Sequence, residues 1–256
     1  QGPLWGRSAG HWARIQEPTG RPGYVHALDY LGDLTGKSLL DVGCGTGLFC
    51  VLASEAGAWV TGLDASEAFI DFARHRDHPI HFLTGELEEL PFPDGSFDVV
   101  TGFNSFQYAA DVAHAFREAK RVLKDDGVLV VMIWGNQQDC EAATYLQAVG
   151  TLLPPPPPGA GGPFALSEHQ LLQQQLQAAG WQLLTEQDVD AVWDYADRQR
   201  ALQGLMAAGP VARAIDHSGE EKAAAVINEA LQPYIQANGH VVYKNKFRVV
   251  IAQKAQ

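Results

Sequence analysis

Three glycines fall within five residues at Gly43-Cys44-Gly45-Thr46-Gly47, directly after the apolar run Leu39-Leu40-Asp41-Val42. Glycine at this spacing lets the backbone turn tightly and pass close to a ligand that any Cβ would hold away. A second apolar run, Trp59-Val60-Thr61-Gly62-Leu63, ends on Asp64. A carboxylate there offers two adjacent acceptor oxygens, which suits a diol. Glycine turn and downstream acid together point to nucleoside binding. The turn reads GxGxG, with Leu48 where a dinucleotide fingerprint carries its third glycine. This weakens the case for a pyrophosphate ligand. A ligand without phosphates needs the tight turn but not a helix N-terminus aimed at negative charge.

The elements that must position these residues alternate between Lys37 and Trp134. Ser38–Val42 reads as a strand and Gly47–Ala56 as a helix. Trp59–Leu63 is a strand, and Ser66–His75 is a helix with Ser66 as its N-cap. Short strands follow at Ile80–Leu83 and Phe97–Gly102, the second preceded by the turn Pro93-Asp94-Gly95. Val112, Ala115, Phe116, Ala119 and Val122 recur at helical spacing within Asp111–Leu123. Asp125-Asp126-Gly127 reads as a turn into the buried strand Val128–Trp134. Such alternation predicts an α/β fold with a parallel sheet and helices on both faces.

Beyond Trp134 the rhythm changes. Asp139–Leu153 and Ser167–Ala179 read as helices, Trp181–Thr185 as a strand, residues 190–238 as mostly helical, and Val241–Ala252 as a long final strand. Pro154–Pro158 is an uninterrupted proline run followed by Gly159-Ala160-Gly161-Gly162-Pro163. It reads as a stiff polyproline spacer, with the hinge of an active-site cover as the sharper alternative.

From Lys37 to Trp134 the chain resembles the class I S-adenosylmethionine-dependent methyltransferases, in the small-molecule branch that includes the ubiquinone and menaquinone biosynthesis enzymes. Four segments carry the resemblance in order: LLDVGCGTG at 39–47, VTGLDAS at 60–66, GELEELPFPDGSFD at 85–98 and RVLKDDG at 121–127. It implies a Rossmann-like doubly wound sheet of seven strands, mostly parallel with an antiparallel last strand, plus a helical cover over the acceptor site. It also implies one methyltransferase domain over residues 4–256, with S-adenosyl-L-methionine as cofactor. Gln1-Gly2-Pro3 is set aside as the kind of remnant a cleaved protease site leaves.

By the same resemblance, Gly43 and Gly45 pass under the methionine part of the cofactor, with Asp41 near its ammonium. Asp64 takes the ribose hydroxyls and Ala65 flanks the adenine. Glu86 accepts from the adenine amine, where the family usually has Asp, and the Leu87 backbone meets the ring. The backbone at Phe103 and Asn104 receives the ammonium, with Gln107 one turn further on. The family often carries a His-His pair where this chain has Gln107-Tyr108, so this loop is expected to supply no histidine catalysis.

The acceptor pocket is expected between two covers, the N-terminal helical segment 4–34 and the insertion 190–240. Its candidate walls are Trp12, Tyr24, Phe106, Trp134, Phe164 and Trp193. Aromatic walls with few charges suit a flat, partly apolar acceptor. Any one of these rings is more often core than pocket. If the acceptor is a hydroxyl, a general base helps, and His11, His217 and His240 are the candidates. The expected reaction is methylation of oxygen, nitrogen or carbon in a small molecule. The alternatives are a non-catalytic S-adenosylmethionine-binding regulator and a nicotinamide-dependent oxidoreductase.

Composition narrows the partners. The 256 residues carry a formal net charge of −12, which repels phosphate backbones, and Asn104-Ser105-Phe106-Gln107 lacks the Asn/Asp-Pro-Pro-aromatic run of nucleic-acid amine methyltransferases. No nucleic-acid acceptor is expected, and Lys244, Lys246 and Arg248 read as a solvated strand face. The three cysteines, Cys44, Cys50 and Cys140, form no CxxC pair, which argues against a disulfide framework and a structural metal. No apolar run is long enough for a membrane span and no signal sequence is legible. A cytoplasmic monomer or homodimer is the expectation.

Overall fold

In a computed structural model of the chain, the described residues are 2–154, 162–168 and 170–255. Most of the proline run, with Gly159-Ala160-Gly161, lies outside them. The chain opens with short helices α1 (Gly2–Gly6) and α2 (Ala9–His11), a π-helical turn at Trp12–Gln16 and a 3-10 turn at Glu17–Gly20. Helix α3 (Arg21–Leu31) then leads into β1 (Ser38–Val42), α4 (Leu48–Glu55), β2 (Trp59–Asp64), α5 (Glu67–Arg74) and β3 (His81–Thr84). Next come β4 (Phe97–Phe103), α6 (Val112–Val122), β5 (Leu123–Trp134), α7 (Ala143–Gly150) and α8 (Leu171–Ala178). The chain closes with β6 (Trp181–Tyr195), α9 (Arg198–Met206), α10 (Gly209–Ser218), α11 (Glu220–Ala230) and β7 (Val241–Lys254).

The seven strands form one sheet in the order β3-β2-β1-β4-β5-β7-β6. Strands β1 to β5 pair in parallel, and β7 lies antiparallel between β5 and β6. The α/β, Rossmann-like expectation, with its antiparallel last strand, is therefore met. The order reverses between β1 and β4, and a crevice opens there beyond the carboxyl ends of the strands.

Both faces of the sheet are buried. Leu39 and Leu40 are neighbours in β1, yet they belong to separate cores, as the two-residue period of a strand requires. Leu39 belongs to the core that takes in residues of α3 to α5, α7 and α9 to α11, and Leu40 to the one formed with α6 and α8. The Ser66 cap acts as read, and α6 carries a cap of the same kind at Asp111. Ser66 accepts from the Phe69 N–H at the start of α5, and Asp111 accepts from the His114 N–H at the start of α6.

Several expected boundaries move. The strand from Trp181 runs on to Tyr195, so residues 190–195 are extended and the helices begin at Arg198. The stretch Glu186–Asp190 has no apolar alternation to betray a strand. It is held across the ladder by charge: Arg248 pairs with Asp188 at 2.8 Å and Lys246 with Asp190 at 3.1 Å. Arg248 is thus largely covered rather than solvated. The turn at Asp125–Gly127 is absorbed into β5 as a bulge, because Phe97 pairs with Leu123 but Val99 pairs with Val128. Helices α7 and α8 are shorter than expected, and α8 is preceded by a 3-10 turn at Ala165–Ser167.

Candidate functional site

The glycine turn is fixed by the strand beside it. The N–H groups of Gly43 and Cys44 both donate to the Leu63 carbonyl, at 2.7 and 3.0 Å. Gly43, Gly45 and Gly47 sit at φ of +73°, +57° and +83°, where a side chain is strained. At Gly43 space is closed as well, since a Cβ would stand 2.3 Å from the Ser105 Cβ. Asp64 ties the two signals together. One carboxylate oxygen accepts from the Gly45 N–H at 2.9 Å and the other from the Ser66 N–H at 2.8 Å. Each oxygen keeps a lone pair for a ligand.

At the tip of β4, Asn104 adopts φ +53°, with its N–H donating to the Met132 carbonyl at 2.7 Å. A non-glycine residue in this region marks a position over-determined by its surroundings. Gln107 donates to the Asn104 side chain at 3.1 Å, which leaves its own Oε1 buried without a partner among the described residues. The loop that presents Glu86 and Leu87 is anchored from α6. Arg121 donates to the Leu90 and Phe92 carbonyls, and Glu118 accepts from the Leu90 N–H.

These residues border one cavity of about 1540 Å³. Single-ligand pockets run to about 1,000 Å³, so a cofactor and an acceptor both have room. Gly43, Gly45, Asp64, Ala65, Glu86, Leu87, Phe103, Asn104 and Gln107 all line it. Asp41 does not. Its carboxylate accepts from Thr101 Oγ1 at 2.7 Å and from Cys50 Sγ at 3.6 Å, beneath the turn. The two-residue period turns Asp41 to the Leu39 face, onto α4 rather than toward the strand ends.

Of the expected acceptor walls, Tyr24, Trp134 and Trp193 line the cavity. Trp134 lies 5.4 Å from Trp193 and 5.2 Å from Phe247, ring centre to ring centre. Phe106 is core instead, stacked on Phe116 at 4.6 Å. Phe164 packs against Trp134 at 5.1 Å without facing the cavity. Trp12 lines the cavity at its other end, with its Nε1 3.5 Å from where a Gly45 Cβ would stand. His11 and His217 are exposed and off the cavity, and His240 is bonded to Asp194 at 2.6 Å. The imidazole that does line it, His114, sits on an exposed helix face beside Arg117.

One important residue carried no sequence signal. Glu17, 4 % exposed, accepts from Thr46 Oγ1 at 2.6 Å and from Arg76 Nη2 at 2.7 Å. It borders the cavity beside Gly45. An acid before a proline in an irregular turn has no periodicity to mark it. Tyr108, Tyr145, Arg213 and Phe247 were likewise unmarked wall residues.

Charge at this end is one-sided. Glu17, Asp41 and Asp64 are carboxylates beside the glycine turn, and Arg76 is the cation that reaches it. Burial is the main cause that pushes Asp64 up to about 6 and Asp41 up to about 7, and it raises Glu17 as well. Sites of this kind favour a cationic ligand, which restores the charged forms. The donor set fits S-adenosylmethionine. At Gly45 a Cβ would crowd Glu17 Oε1 at 3.2 Å, Asp64 has free lone pairs, and Trp12 Nε1, Ser105 Oγ and Gln107 Oε1 are buried without partners among the described residues.

Fold and site together give a Rossmann-like α/β sheet with a carboxylate- and glycine-lined cavity at its switch point. Residues 40–131 match the family described as "Methyltransferase domain". A malonyl-[acyl-carrier protein] O-methyltransferase of Erwinia pyrifoliae is 33% identical over 136 residues, 50% of this chain and 52% of its own. A demethylmenaquinone methyltransferase of Tropheryma whipplei is 34% identical over 146 residues, 56% of each chain. The chain thus spans about half the length of these curated relatives. Among solved structures, the YcgJ protein of Bacillus subtilis superposes with a TM-score of 0.59 at 20% identity, covering 91% of this chain and 98% of that one, a likeness of fold.

Proposed function

We propose that this chain transfers the methyl group of S-adenosylmethionine to a small, partly apolar or aromatic acceptor. The observation that carries this reading is one cavity with two differently built ends. The glycine turn and Asp64 border one, and Trp134, Trp193 and Phe247 wall the other. Bound there, the cofactor supplies an electrophilic methyl on a sulfonium.

The residues have separable tasks. Asp64 and the Glu86–Leu87 loop hold the adenosine, and Gly43, Phe103 and Asn104 hold the amino-acid part with their backbone. The aromatic walls exclude water and align the acceptor, which matters because methyl transfer disperses charge and gains from a dry, ordered site. The covers are the segment 4–34, through Trp12 and Tyr24, and the region 190–240, through Trp193, Ala208 and Arg213. Neither His11 nor His217 reaches the cavity, and His114, which lines it, sits on an exposed helix face, so alignment in a dry site is the main source of rate for an oxygen, nitrogen or carbon acceptor. The acid-lined mouth, with Glu88, Glu89 and Asp111, supports a small molecule over a polynucleotide.

Titration calorimetry with S-adenosylmethionine and its demethylated product, followed by incubation of labelled donor with a cell extract, tests the reading. Micromolar binding and label in a small organic product are expected. Binding without any labelled product would leave a non-catalytic cofactor binder, and the absence of binding would remove the reading altogether.

A further inference from the structure

Gly45 opens toward two side chains that no glycine-turn motif includes. A Cβ at this position would lie 3.2 Å from Glu17 Oε1 and 3.5 Å from Trp12 Nε1, so a donor and an acceptor converge just beyond it. Both come from the irregular stretch between α2 and α3. Trp12 is held there by its ring, stacked on Phe69 at 5.8 Å and edge-on to Trp5 at 5.1 Å. Its Nε1 is buried with no partner among the described residues. A buried indole N–H without a partner is costly, and a ligand acceptor at this point would satisfy it.

Glu17 is arranged with the opposite polarity. Its Oε2 takes both strong partners, Thr46 Oγ1 at 2.6 Å and Arg76 Nη2 at 2.7 Å. Its Oε1 takes the Leu48 N–H at 3.4 Å, a long contact that leaves this oxygen able to accept a better donor, while the Thr46 N–H also points to the carboxylate. An unpartnered donor and an under-used carboxylate oxygen side by side match the two ends of an α-amino acid.

We infer that Trp12 and Glu17 form a clamp for the amino-acid end of the cofactor, Trp12 Nε1 donating to its carboxylate and Glu17 Oε1 accepting from its ammonium. The inference rests on the S-adenosylmethionine reading above. It has a structural consequence, because Glu17 already ties the N-terminal segment to Thr46 and Arg76. Filling the clamp adds contacts between this segment and the ligand, so cofactor and cover hold each other in place.

Two nucleosides separate the clamp from the rest of the site. S-adenosylhomocysteine carries the amino-acid end, and methylthioadenosine keeps the adenosine and thioether without it. Titration calorimetry of Glu17→Gln is expected to show S-adenosylhomocysteine weakened by about ten-fold or more, since a charge-assisted contact is lost. Trp12→Phe is expected to weaken it by about five-fold. Methylthioadenosine affinity should stay within about two-fold in both variants, which also shows that the site is folded. Equal losses for both nucleosides would overturn the clamp in favour of a purely structural role, and no loss for either would overturn it too. If the unmodified chain binds neither nucleoside, the cofactor reading fails and the clamp with it.

Discussion

The two ends of the cavity are built from different materials. At one end the ligand meets carboxylates and backbone: Glu17, Asp64, the glycine turn and the left-handed Asn104. At the other it meets rings: Trp134, Trp193 and Phe247. Polar atoms at the first end are placed by short hydrogen bonds, such as 2.9 Å from the Gly45 N–H to Asp64. The rings at the second are placed by packing alone, at centroid spacings of 5.2 and 5.4 Å around Trp134. A directional end recognises one ligand closely, whereas a packed end sets shape and dryness. Such a division lets one donor site serve many acceptors, since the rings can be exchanged without disturbing the hydrogen bonds.

The comparison predicts that damage should stay at its own end. The largest effect is expected at Asp64. Asp64→Asn removes a charged acceptor and disturbs the Gly45 and Ser66 contacts, so calorimetric affinity for S-adenosylmethionine should fall about 100-fold. Trp193→Phe should act at the other end. Its Nε1 is buried without a partner among the described residues, so the exchange keeps most of the packing of a cavity wall and removes one donor. The acceptor KM should rise about ten-fold while the cofactor Kd holds within about two-fold. A shift in both constants would show that the ends are not independent.

The smallest expected effect is a pH dependence confined to the cofactor end. Asp64 is raised from 3.8 to about 6, so the folded chain holds a proton that the unfolded chain loses. The stability from this group is complete below about pH 4 and is lost as pH rises through about 6. Asp41, raised to about 7, extends the window upward. A sulfonium ligand favours the ionised carboxylates, so its binding should release protons and tighten a few-fold between about pH 5 and pH 8. Calorimetry in buffers of different ionisation enthalpy measures the released protons. Asp64→Asn should remove this group's share of that release, and thermal melts of its ligand-free form should decline less steeply between pH 4 and pH 6, Asp41 and Glu17 keeping the remainder.

The cofactor end was largely legible in the sequence because its parts are local. Gly43, Gly45 and Asp64 each lie at the end of a short strand, and each acts through the backbone of its own turn. The exception is Asp41, whose motif position placed it at the ligand while strand alternation turns it beneath the turn onto Cys50. Residues gathered by packing were read less well. Phe106 and Phe164 are aromatic like Trp193, and composition gives no way to tell a core ring from a wall ring. Glu17 was invisible for a related reason, since nothing near it in the chain foreshadows Thr46 or Arg76.

Sequence alone therefore determined the strand–turn–helix units and the glycine turn with its downstream acid, because these follow from local geometry and a two-residue period, while the resemblance carried by four motifs implied the sheet and the donor. Only the tertiary structure decided the acceptor end. Trp134 meets Phe247 through the pairing of β5 with β7, and Trp193 meets Tyr243 through the pairing of β6 with β7. A slip of one residue in either ladder would turn those rings to the opposite face. This register is set by contacts between segments as much as a hundred residues apart, such as Trp134 and Phe247, and no local pattern records it.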